Sequence, residues 1–165
     1  MQLVFQIIIR FILLVLVQIF VLDNIQFMGY INPMIYVLFV LSLPVKFPKW
    51  IALLSAFGMG LIIDIYSNTL GMHTFATVFL AFVRNPIMNL IVSFDEGVNP
   101  VPSFKTFGVN NYVKYLLATV FIHHFTLFFI ESFSFTGFTF TLLKIIISSI
   151  VTTALILLIQ TFNSK

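Results

Sequence analysis

Cysteine and charge are what this chain has least of. Its 165 residues include no cysteine, which excludes disulfide staples, thiolate nucleophiles and cysteine-ligated metals. Only 8% of the residues are Asp, Glu, Lys or Arg, against roughly 25% in soluble domains. A water-soluble fold so poor in charge would expose large apolar patches and aggregate. Catalytic signatures are missing as well. There is no P-loop, no G-x-S-x-G, no H-E-x-x-H and no Gly-x-Gly-Asp pattern of an intramembrane protease. The net charge of +3 is too small an excess for a nucleic-acid surface, so no nucleic-acid partner is expected. The reading is therefore a non-enzymatic protein without a cofactor.

What is present is apolar. Hydrophobic residues make up 61% of the chain, and mean hydropathy is +1.14. The bilayer is the solvent this composition suits. A spanning helix needs about 20 residues to cross a hydrocarbon core of about 30 Å. A chain of this length holds five or six spans and little else, so residues 1–165 form a single integral membrane domain. The apolar segments are continuous rather than alternating, which argues for helices over a β-barrel. The first segment, Leu3 to Leu22, is long for a signal sequence and lacks a small-residue cleavage site, so it reads as a retained span.

The positive charges fall in every second break between apolar runs. Lys46 and Lys49 occupy one break, Arg84, Lys105 and Lys114 flank or occupy another, and Lys165 is the last residue. The breaks around 23–33, 64–71 and 131–137 carry Asp23, Asp64 and Glu131 and no Lys or Arg. Cytoplasmic loops collect Lys and Arg. The alternation predicts a multi-pass protein of the inner membrane with both termini and the 93–111 loop in the cytoplasm.

Six spans follow, at about 3–22, 33–43, 50–65, 71–92, 112–131 and 138–161. The second opens with Asn32-Pro33, a good helix start. It is cut short by Pro44 and Pro48, so a short or broken helix is expected there. The fold class is thus an all-α six-helix bundle with an abbreviated second helix.

Within the spans a few residues stand out. Ala52, Ala56 and Gly60 recur every four residues on span three, a spacing that lets two helices approach closely in a membrane. Asp64 continues that ridge. It either points into the bundle or toward a partner, or rests at the outer interface and caps the start of the segment that follows. Span five carries Tyr115, Thr119, His123 and Thr126, and span six carries Lys144, Ser148 and Thr152; such polar stripes hydrogen-bond across helices. Lys144 needs an acidic partner, and Glu131 and Asp64 lie at comparable height. Adjacent His123 and His124 point about 100° apart on a helix and lack the i,i+4 spacing of a metal pair, so no metal site is expected. Arg10 in span one either snorkels to the interface or contacts a partner helix.

The run from Gly60-Leu61 through Asp64 and Ser67 to Gly71 and His73 resembles the central signature of the rod shape-determining MreD family. The Asn32-Pro33 start, the Leu43-Pro44 break, the length and the span count resemble it too. The resemblance covers the whole chain in layout and some fourteen residues, Gly60 to His73, in motif. It implies a scaffold of the elongasome, or Rod complex. Its partners would be an MreC-like single-span membrane protein, other elongasome proteins and the lipid bilayer. It also implies a fold similar to the substrate-binding S components of energy-coupling-factor transporters. Gly60, Asp64, Gly71 and His73 match the motif positions and would shape the helix 3–4 turn and a partner-facing surface; Arg10 fits no family pattern. A vitamin-transporter S component is the alternative. Its docking motif of small residues in span one is missing, because residues 3–22 contain no Ala or Gly.

Overall fold

The computed structural model describes residues 2–24, 32–93, 99–132 and 138–163. The acids Asp95 and Glu96, most of the 23–32 loop and the 133–137 turn lie outside the described residues. Every described element is a helix. In chain order these are α1 (Gln2–Val17), which continues as a wider π-helical turn over Gln18–Leu22, then α2 (Val37–Leu41), α3 (Lys49–Ser67), α4 (Met72–Ile91), α5 (Phe104–Phe107), α6 (Val109–Ser132) and α7 (Phe138–Asn163). Five are long and apolar enough to cross a membrane: α1 with its extension, α3, α4, α6 and α7. They fall within a few residues of the expected spans. A multi-pass, all-helical membrane protein is what this architecture defines.

The second expected span, at 33–43, is not a spanning helix. Only Val37–Leu41 is helical, because Pro33 bounds it on one side and Pro44 and Pro48 on the other. The chain around it nevertheless runs alongside α1. Gln18 bonds to the Pro33 carbonyl and the Ile35 amide at one level, and Arg10 bonds to the Ser42 carbonyl at another. Eight residues of α1 separate those contacts, about 12 Å of rise. Residues 33–48 therefore lie antiparallel to α1. They then meet the α4–α6 connection, where the Val45 amide donates to the Pro100 carbonyl at 3.0 Å.

This segment is the core of the protein. Tyr36, Val37, Phe39, Val40, Leu41 and Leu43 are all buried, wrapped by α1, α4 and α6. Non-helical backbone at membrane depth is tolerated only inside protein or against water, because lipid offers it no hydrogen-bond partner. The long helices pack in the order α3 on α4, α4 on α6 and α6 on α7. Their outward faces are apolar: Phe5, Ile12, Phe20, Leu54, Phe82 and Ile150 are exposed, as a lipid-facing surface requires. The 93–111 stretch, expected to be a polar loop, contains α5, and its buried Phe107 packs edge-on against Tyr112.

Candidate functional site

Polar side chains in the described bundle gather at two places where helices end. The first is the α3–α4 turn. Asn68 adopts a left-handed conformation (φ 54°) that closes α3, and Gly71 (φ 83°) opens α4. Glycine reaches that conformation without strain. It also has no side chain with which to cap the new helix. Asp64 supplies the cap from the neighbouring helix. One carboxylate oxygen accepts from the His73 amide at 3.0 Å, and the other from the Thr74 amide at 2.8 Å. The hydroxyls of Thr69 and Thr74 each donate to it at 2.5 Å, and His73 Nδ1 lies 3.1 Å away. A carboxylate on the second and third amides of a helix satisfies two orphan donors and complements the helix dipole.

The small-residue ridge makes this clasp reachable. Ala52, Ala56, Gly60 and Asp64 are all buried. A Cβ added at Gly60 would sit 2.4 Å from the Thr74 Cα and 2.7 Å from the Thr74 nitrogen. Only glycine lets the α4 backbone come that close. Asp64, one turn further along, then meets the α4 amides. The two readings of Asp64 combine, since it points into the bundle and caps the next helix at once.

The second place surrounds the interrupted segment. Its start presents free amides, and acceptors face them. Met34 N donates to Thr152 Oγ1 at 3.0 Å, Ile35 N to Gln18 Oε1 at 2.9 Å and Asn32 N to Ser148 Oγ at 3.4 Å. Its end presents carbonyls beyond the last helical turn, and cations face them. Arg84 donates to the Leu43 and Pro44 carbonyls, and Arg10 to the Ser42 carbonyl at 3.3 Å. Tyr115 accepts from Arg84 Nε at 3.2 Å and donates to the Leu41 carbonyl at 3.3 Å. Arg10 thus contacts a neighbouring segment from a half-buried position.

The histidines belong to the same network. His124 Nδ1 lies 2.9 Å from the Val120 carbonyl, which can only accept, so Nδ1 carries the proton. Its Nε2 then accepts from Thr152 Oγ1 at 3.2 Å, and Thr152 in turn receives the Met34 amide. His123 Nε2 meets the Tyr36 hydroxyl at 3.1 Å. Thr119 and Thr126, by contrast, bond among the described residues to carbonyls of their own helix. Among the described residues no group of three or more His, Asp or Glu is placed to hold a metal ion.

Lys144 is settled by Glu131, at 2.9 Å, with its ammonium 4.3 Å from the centre of the Phe128 ring. The pair stands apart from the Asp64 clasp. Between them opens a cavity of about 610 Å³, lined by Asp23, Asn24, Asn32, Ser67, His73 and Glu131 among others.

Arg84 is the residue that sequence reasoning misplaced. It was expected to flank a cytoplasmic break beside Lys105 and Lys114. It is 1% exposed, inside the bundle, with no acidic partner among the described residues. The signal was its place two residues before Pro86, still within the apolar run. Gln18 is the other missed residue, bridging α1 to the interrupted segment. No family model matches the chain, and neither a curated protein nor a solved structure matches it.

Proposed function

We propose that this chain is a non-enzymatic scaffold of the MreD type, which binds an MreC-like single-span membrane protein and supports side-wall peptidoglycan synthesis within the elongasome. One observation carries the reading. The motif residues Gly60, Asp64, Gly71 and His73 act as a single unit, with Gly60 admitting α4, Gly71 turning the chain, and Asp64 capping at His73 and Thr74. A motif with that mechanical coherence suits a conserved-shape scaffold, because its chemistry is turned inward on helix ends. The polar stripes on α6 and α7 point the same way: Thr152 and Tyr115 hold backbone of the interrupted segment, and His123 and His124 bond to Tyr36 and Thr152. The partner surface is the apolar flank of the bundle, where a single-span protein can lay its helix.

The topology belongs to the same proposal. Lys46 and Lys49 sit at the end of the bundle where α3 begins, and Lys105 and Lys114 at the end where α6 begins. The positive-inside rule puts these in the cytoplasm and Asp23 and Glu131 outside, with both termini cytoplasmic in the inner membrane. Reporter fusions after Lys165 and within 93–111 should both read cytoplasmic; a periplasmic signal at either rejects the arrangement.

The alternative is a vitamin-transporter S component, and the cavity of about 610 Å³ favours it, since ligand pockets run to about 300–1,000 Å³. Purification in mild detergent separates the two. A scaffold should bring down a single-span protein with a large periplasmic domain, and its depletion should round a rod-shaped host. Recovery of an ATPase pair, or vitamin-dependent growth with normal shape, would decide for the transporter component.

A further inference from the structure

A second groove, also about 610 Å³, opens at the other end of the bundle, between the α2–α3 connection and the last turns of α4. Lys46, Lys49, Asn85, Asn89 and Ser93 contribute its polar lining, and Phe47 and Met88 part of its apolar wall. No acidic residue lines it among the described residues. Both lysines are exposed, and neither forms an ion pair among the described residues. Asn85 and Asn89 lie one turn apart on one face of α4, so their amides open on the same space. Exposed apolar side chains neighbour its lining residues in the chain: Trp50, next to Lys49, is 69% exposed, and Leu90, next to Asn89, is 87% exposed.

We propose that this groove seats the headgroup of an anionic phospholipid. Two ammonium groups more than neutralise the single negative charge of a phosphodiester, and two amides can donate to its oxygens. Basic pockets between transmembrane helices recognise such headgroups by this chemistry. The flanking Trp50 and Leu90 decide for a lipid over a free anion. A bound headgroup here leaves its acyl chains against apolar side chains, and Trp is the side chain suited to the headgroup level. The site is independent of which partner the scaffold binds and of which side of the membrane this end faces.

The test uses the full chain purified in an uncharged detergent. Lipid adducts are counted by native mass spectrometry and the melting midpoint is followed as phosphatidylglycerol, phosphatidylcholine or inorganic phosphate is added. Phosphatidylglycerol should bind and raise the midpoint, and the other two should not. Replacing both groove lysines, Lys46→Gln with Lys49→Gln, should weaken phosphatidylglycerol about thirtyfold at low salt, since each lysine near an anionic headgroup is worth about a factor of five. Asn89→Leu keeps every charge and should still weaken it severalfold. Lys105→Gln with Lys114→Gln removes equal charge elsewhere and should leave binding unchanged. The proposal is overturned if phosphatidylcholine binds equally or if phosphate alone reproduces the shift. It is also overturned if the Lys105 and Lys114 pair weakens binding as much as the groove pair, or if Asn89→Leu has no effect.

Discussion

Asp64 and Arg84 are both buried, and they sit at opposite kinds of helix end. Asp64 covers the amides that begin α4; Arg84 covers the carbonyls that follow α2. Each charge has the sign its helix end requires, negative at an N-terminus and positive at a C-terminus. The difference lies in support. Asp64 has two threonine hydroxyls and His73 around it, and it closes a turn between consecutive helices. Arg84 reaches across to residues 40 and 41 positions away, with Tyr115 beside it. The first is a local clasp, the second a long-range pin. Breaking the pin should therefore cost more of the fold than loosening the clasp.

Arg84→Leu is the largest expected effect. It leaves the buried Leu43 carbonyl without a donor among the described residues and the Pro44 carbonyl with the Phe47 amide alone. An unsatisfied buried polar group costs about 1–3 kcal/mol, and the lost bonds to Pro44 and Tyr115 add to that, so the loss is on the order of 3 kcal/mol. The variant should accumulate poorly and melt far below the parent in detergent. Arg84→Lys keeps the charge but loses the fork that reaches Tyr115 and the carbonyls together, and should recover only part of the loss. A parent-like midpoint for Arg84→Leu would mean that the interrupted segment does not depend on this pin.

Gly60→Ala comes next, and it breaks the clasp without removing its charge. The added methyl would meet the α4 backbone at 2.4 Å, so α3 and α4 must move apart. Overpacking of a tight interface costs about 1–3 kcal/mol. Separation also lengthens the Asp64 bonds to His73 and Thr74. Gly58→Ala is the control, because its added methyl meets nothing within 4 Å. Equal melting midpoints for the two variants would show that close approach at Gly60 is not what positions Asp64.

The clasp was largely legible in the sequence and the pin was not, for a physical reason. Ala52, Ala56, Gly60 and Asp64 share one face by period alone, and the helix they pack on is the next one in the chain. Hydropathy likewise located the five long helices, and Pro33, Pro44 and Pro48 announced the interruption between them. Arg84 bonds to residues far away in sequence, and no periodicity says which distant segment a helix face will meet. Charge counting misplaced it because a loop arginine and a buried one contribute the same charge to a tally. The partners of Gln18, His123 and His124 were hidden by the same ignorance of neighbours. A broken segment in a membrane must find partners for its free amides and carbonyls. Once residues 33–48 are known to be interrupted, polar residues inside the spans become candidates for those partners, and Gln18, Arg10, Arg84, Tyr115, Ser148 and Thr152 serve.

Lys144→Gln is the smallest expected effect, and it sharpens the comparison by supplying a charge that is neither clasp nor pin. Its ion pair with Glu131 is short, at 2.9 Å, but the two side chains are 25% and 47% exposed. Pairs that water can reach contribute about 0–1 kcal/mol. The contact with the Phe128 ring adds about 0.5–1 kcal/mol at an exposed site. Neither group holds a helix end, and Glu131 left alone can be solvated from the cavity it lines. The melting midpoint of Lys144→Gln should therefore fall by much less than that of Gly60→Ala, and raising the salt should narrow the gap to the parent further. A loss as large as that of Arg84→Leu would show that distance from a helix end does not govern what a charge is worth in this bundle, and the distinction drawn between Asp64 and Arg84 would fail with it.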